Sequence, residues 1–130
     1  MDGQRRERAV VSGSVSSEGS CLFCRIVQGE IPADVVLDDE HVLAFRDLSP
    51  QAPLHVLVIP KQHHPDIAHL ATSDPAGVAA LMAGAARVAE QEGLVEGFRI
   101  VLNTGAHGGQ TVFHVHAHVL GGRPMSWPPG

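Results

Sequence analysis

Apolar residues recur at two different periods along this chain, and each switch between them marks an element. Between Asp74 and Glu92, Val78, Leu81, Met82, Ala85, Val88 and Ala89 fall at helical spacing, which predicts one long helix with a single buried stripe. Asp74 suits its cap, Pro75 its first turn and Gly93 its close. The small residues Ala79, Ala80, Ala83, Gly84 and Ala86 would let it lie close on a sheet. Cys21–Gln28 predicts a short N-terminal helix, closed by Gly29 and broken at Ile31-Pro32.

Strand patterns fill the rest. Val35–Asp38 and His41–Arg46, separated by acidic Asp39-Glu40, predict a hairpin. Ser49–Pro53 reads as a loop, and Leu54–Ile59 as a buried strand ended by Pro60. Phe98–Asn103 and Val112–Leu120 supply two more strands, joined by the glycine-rich stretch Gly105–Thr111. The sum is an α+β fold: about five strands in a mainly antiparallel sheet, one long helix and one short helix. Strand order is left open by this pattern.

Composition narrows the class. At 130 residues the chain makes one domain, and 44% apolar with 18% charged residues suits an ordinary globular protein. A net charge of −5 argues against a nucleic-acid partner. Lys61 is the only lysine, so an anionic ligand would rest on backbone N–H groups, hydroxyls, amides and imidazoles. Residues 1–20 are polar, with Arg5, Arg6 and Arg8 ahead of a Ser/Gly-rich segment. Their one apolar run, Ala9-Val10-Val11, is too short for a secretory signal, so a disordered tail is expected before a domain at 21–130. No segment reaches membrane-span length, and a cytoplasmic protein with no membrane partner is expected. In that compartment Cys21 and Cys24 are thiols or metal ligands rather than a structural disulfide.

The candidate chemistry sits in Phe113-His114-Val115-His116-Ala117-His118-Val119-Leu120. On a strand, the three imidazoles would share one face while Phe113, Val115, Ala117 and Val119 pack the core on the other. Same-face neighbours lie roughly 6.5–7 Å apart, so His114 and His118 would be about 13 Å apart. With metal–nitrogen bonds of about 2 Å, one ion cannot easily hold all three, and a division of labour is expected. Neutral imidazole is a usable nucleophile near pH 7. A glycine-rich loop can bring N–H groups to an anion, and one running into a histidine row suggests chemistry at phosphorus. His41, His64, His69 and His107 show no partner pattern and are expected to be exposed.

The His-x-His-x-His run resembles the mark of the histidine triad (HIT) family. So do Cys21–Ile26, Gly29–Ala33, Leu43–Asp47, Ser49–Pro53 and Val58–Lys61, and the likeness covers about residues 21–130. The ending Leu120–Gly130 is similar to the Hint branch, the nucleoside phosphoramidate hydrolases, more than to the dinucleoside polyphosphate branch. The resemblance implies a HIT-like fold and a homodimer with a continuous sheet, its C-terminal tail reaching toward the neighbour. It implies that His116 attacks the α-phosphorus of a purine nucleotide, forms a nucleotidyl-imidazole, and yields the nucleoside monophosphate when water attacks. Substrates would be purine nucleoside phosphoramidates or related conjugates such as aminoacyl adenylates.

The same likeness assigns the other residues. His118 and His55 would orient His116 and stabilise charge. Asn103, Thr111 and backbone N–H groups at Gly109, Gln110 and Thr111 would hold the phosphoryl oxygens; many Hint-branch members have serine where Thr111 stands. Asp47 would hold the ribose, and Phe23, Ile26, Phe45, Leu48 and Leu57 the base, with Trp127 anchored in the tail. Cys21, Cys24, His63 and His114 would form a closed, structural zinc site that the chemistry does not require. Three other readings remain at this point: a dinucleoside polyphosphate hydrolase, a nucleotide-binding regulatory module, and a metal-dependent hydrolase built on the histidine strand.

Overall fold

In a computed structural model, the structure describes residues 5–6 and 20–130. Its elements in chain order are β1 (Arg5–Arg6), α1 (Leu22–Val27), β2 (Ala33–Asp38), β3 (Val42–Arg46), β4 (Leu54–Pro60), α2 (Ile67–Ser73), α3 (Pro75–Gln91), β5 (Phe98–Val101) and β6 (Ala117–Gly121). Five of the strands form an antiparallel sheet, and the two-residue β1 extends one edge, in the order β1-β2-β3-β4-β6-β5. The expected disordered tail lies outside the described residues, apart from Arg5–Arg6 and Ser20. No helix among the described residues is long and apolar enough to cross a membrane.

The sheet carries a helix on each face, which is why β4, its central strand, is buried throughout. Alternate residues divide between two cores. Leu54, Val56 and Val58 of β4 join Val42 and Ala44 of β3 and Ala117 and Val119 of β6 under Leu81, Ala85, Val88 and Ala89 of α3. On the other face Leu57, Ile59, Leu43 and Phe45 pack with Phe23 of α1. Gly84 lets α3 approach closely, since a Cβ there would sit 2.9 Å from Val42 Cγ2 and 3.3 Å from Val58 Cγ1.

The observed elements depart from expectation at four places. Only Ala117–Gly121 of the expected Val112–Leu120 strand pairs. The ladder to β4 ends at Val58↔Ala117, and two residues on, Pro60 has no N–H to offer. The Val115 N–H instead donates to the His64 carbonyl at 2.8 Å, and Phe113, expected in the core, is more than half exposed. The β5 strand stops at Val101, short of Asn103. Asp74 stands at the N-cap of α3 without a side-chain cap bond. Its own N–H donates to Leu70 O and ends α2. That helix was not anticipated: it has seven residues, capped by the Asp66 carboxylate, which accepts from the His69 N–H at 2.8 Å.

Candidate active site

Register brings the histidines together. His55 on β4 faces Leu120 and His118 on β6 faces Leu57, so the two imidazoles lie on one side of the sheet as diagonal neighbours. His55 Nε2 and His118 Nδ1 are 2.8 Å apart. His116 follows on the same side, its ring centroid 5.0 Å from that of His118. Phe23 covers the row edge-on, with centroids 5.1 Å from His116 and 5.9 Å from His114. Phe23 of the short α1 thus shields His116 and His114 from water.

Fixed partners assign the tautomer of two rings. His116 Nδ1 lies 2.8 Å from the His114 carbonyl oxygen. A carbonyl only accepts, so Nδ1 carries the proton and donates, and the Nε2 lone pair is bare in the neutral ring. His114 Nε2 lies 2.8 Å from the Pro60 carbonyl and by the same logic donates, which leaves its Nδ1 as the electron-pair donor. Burial lowers the pKa of His116, against the raising influence of the His114 carbonyl and the Asp47 charge. Burial also pushes His114 down to about 4. His118 is lowered to about 4 by burial and by the neighbouring His116 and His55. Near pH 7 these rings are therefore neutral, the form in which imidazole acts as a nucleophile.

His114 turns away from the other two and into a second cluster. Its Nδ1 is 3.5 Å from both Cys21 Sγ and Cys24 Sγ and 3.3 Å from His63 Nδ1, while Cys24 Sγ and His63 Nδ1 are 3.3 Å apart. One donor atom from each of the four residues lies within 4.8 Å of all the others. Bonds of about 2.0–2.3 Å to a tetrahedral ion imply ligand separations of roughly 3.3–3.8 Å. The set fits a zinc-like ion in both chemistry and spacing, and the Nε2–H···O=C bond of His114 orients its ligating nitrogen. The division of labour expected of the triad is present: one ring in the thiol cluster, one with a bare Nε2, and one bonded to His55.

Other residues singled out from sequence fall in several places. Phe23, Phe45 and Leu57 are buried together in the core on the α1 face of the sheet, with Ile26 packed at their margin. Leu48, next to Asp47, is 98% exposed, and Trp127 in the C-terminal tail is 81% exposed. Asp47 accepts from the Ser49 N–H through Oδ1 and places Oδ2 3.5 Å from His55 Nε2.

The glycine-rich loop is largely self-satisfied. Gly109 N–H donates to Ala106 O and Gln110 N–H to Gly105 O, both at 3.0 Å. The Gln110 side chain is buried, donating to Pro65 O and Val112 O and accepting from the Gly105 N–H. Of the three amides expected to face phosphate, only that of Thr111 has no hydrogen-bond partner among the described residues. His55 is bonded to His118, whose ring in turn neighbours that of His116. His64 and His69, read as unpartnered, have Nδ1 atoms 3.2 Å apart. The carbonyls of His114 and Pro60 that set the tautomers went unrecognised, because a main-chain oxygen has no signature in sequence.

Comparison with known proteins agrees with this geometry. The HIT domain pattern matches residues 28–125. The chain is 46% identical over 105 residues to the purine nucleoside phosphoramidase of Escherichia coli K12, covering 80% of this chain and 88% of that protein. It is 43% identical over 127 residues to adenylylsulfatase HINT1 of Arabidopsis thaliana, covering 95% and 86%. The crystal structure of a HIT family hydrolase from Legionella pneumophila superposes with a TM-score of 0.82 at 52% identity, covering 85% of this chain and all of that one.

Proposed function

The chain belongs to the HIT domain family, and from that premise we propose that it hydrolyses purine nucleoside phosphoramidates or related nucleotidyl conjugates through His116. The observation that carries this reading is the bare Nε2 of a neutral, largely buried His116, whose Nδ1–H is tied to the His114 carbonyl. Nε2 attacks the α-phosphorus, the P–N bond breaks, and the departing amine takes a proton from water. Water then attacks the nucleotidyl-imidazole, the P–Nε2 bond breaks, and the nucleoside monophosphate leaves with His116 neutral again. Splitting the displacement in two gives each step a nucleophile suited to it. The relatives named for phosphoramidase and adenylylsulfatase activity support a nucleotide substrate with a leaving group on phosphorus.

Within the same reading, Thr111 and Asn103 hold phosphoryl oxygens and Asp47 holds the ribose. Cys21, Cys24, His63 and His114 hold zinc, which supplies no chemistry at phosphorus and clips α1 to the sheet. A homodimer that joins two sheets would cover the edge strand β5, where Phe98 is 43% exposed, and the exposed Trp127. The test is rapid quench with a purine nucleoside phosphoramidate followed by intact-mass analysis. A nucleotidyl adduct mapped to His116 supports the reading; turnover with the adduct on another residue, or activity on dinucleoside polyphosphates alone, refutes it.

A further inference from the structure

Beside the nucleophile lies a chain of hydrogen bonds that begins at a main-chain amide. Gln51 N–H points at His55 Nδ1 over 3.0 Å. An amide N–H can only donate, so Nδ1 must present its lone pair, and the proton of the neutral His55 ring sits on Nε2. That Nε2 is 2.8 Å from His118 Nδ1, so His118 accepts there and carries its own proton on the opposite nitrogen, Nε2. The opposite tautomer of His55 would set two N–H groups face to face at 3.0 Å. His55 is buried at 6% exposure, where an unmatched donor has no water to turn to.

We propose that the main-chain N–H of Gln51 is a positioning group for the reaction, fixing His55 and through it presenting His118 as a neutral Nε2–H donor to the reacting phosphoryl group. It rests on the His116 reading only for its kinetic consequence. A neutral imidazole held in one tautomer is an effective donor to developing charge, because it bonds an oxyanion without losing its proton. The groups facing this chain fit that part. The Asp47 carboxylate lies 3.5 Å from His55 Nε2, a second acceptor that favours the same tautomer. On the other side is His116, its ring centroid 5.0 Å from that of His118. Burial, His116 and His55 hold His118 down to about 4, so it serves as a donor and not as an acid at neutral pH. Asp47, His55 and His118 place three atoms within 4.8 Å of one another, and the shared proton accounts for that spacing.

The test reads the tautomers directly, in the full chain labelled with 15N-histidine, by long-range 1H–15N correlation at pH 7 without substrate. Nε2–H forms of His55 and His118 are expected. A Nδ1–H form of His55, or loss of its Nε2 proton to an ion bridging the two rings, would overturn the proposal. Gln51→Pro removes the amide proton, and Gln51→Ala keeps it. The proline variant should shift His55 toward the Nδ1–H form and lower kcat about 100- to 1000-fold with little change in KM, the scale of losing one transition-state donor. The alanine variant should keep the native tautomers. Native tautomers in the proline variant, or the same shift in both variants, would also refute it. If Gln51→Pro does not fold, the wild-type spectrum still decides. A wild-type chain with the expected tautomers but no phosphoramidate turnover would sink the functional reading and leave this assignment standing.

Discussion

Phe23→Ala tests whether α1 tunes the nucleophile by excluding water. Phe23 is 5% exposed and meets Phe45, His114 and His116 edge-on at centroid distances of 5.5, 5.9 and 5.1 Å. Truncating a buried Phe costs about 3–5 kcal/mol, including the cavity left behind. With a urea slope near 2 kcal/mol/M, that lowers the unfolding midpoint by about 2 M. The second effect concerns charge. Desolvation by burial is the main cause that lowers the His116 pKa, and water admitted over the ring relieves it, so the pKa rises toward the ordinary value of 6.5. Because the nucleophile must be neutral, the acid limb of kcat/KM moves to higher pH in the variant. Urea denaturation and a pH–rate profile on the same preparation check both halves. If stability falls as expected while the acid limb stays or moves to lower pH, Phe23 is not what keeps His116 dry.

Leu81→Ala, at a fully buried position on the α3 side of the sheet, should cost about 2–5 kcal/mol in chemical denaturation while leaving nucleotidyl-His116 formation intact in the folded fraction. Cys24→Ser should lower bound zinc and melting temperature more than it lowers kcat, measured by metal analysis, thermal unfolding and turnover. Wild-type protein purified without chelators and found free of zinc would refute that role. Gln110→Ala deletes three side-chain hydrogen bonds around the glycine-rich loop. Each group left unmatched there costs on the order of 1–3 kcal/mol. Hydrogen exchange at Gly105 should accelerate strongly, and unchanged protection would show that the loop holds itself. Asp66→Ala removes the α2 cap and should cost about 0.5–2 kcal/mol, with faster exchange at the His69 amide.

Much of the architecture was legible from periodicity. The stripe Leu81, Ala85, Val88 and Ala89 is the buried face of α3, and alternation along β3 and β4 sends each side chain to the face its neighbours fill. The α2 helix escaped because seven residues show too little periodicity to register, although Asp66 ahead of Ile67 and Leu70 was a usable signal. The histidine run was read as strand along its whole length because alternation is a local pattern. Where pairing stops is decided by the partner, and the partner here is Pro60.

The sequence by itself determined that His116 and His118 share a side and that the outer two imidazoles of the run could not easily serve one ion. These follow from side-chain identity and spacing, which the chain carries locally. Only the tertiary structure decided which nitrogen of each ring holds its proton. That choice is made by the carbonyls of His114 and Pro60 and by the amide of Gln51. Every residue but proline has such an N–H and every residue has the carbonyl, so their identity says nothing; their placement against a ring exists only once strands and loops have packed.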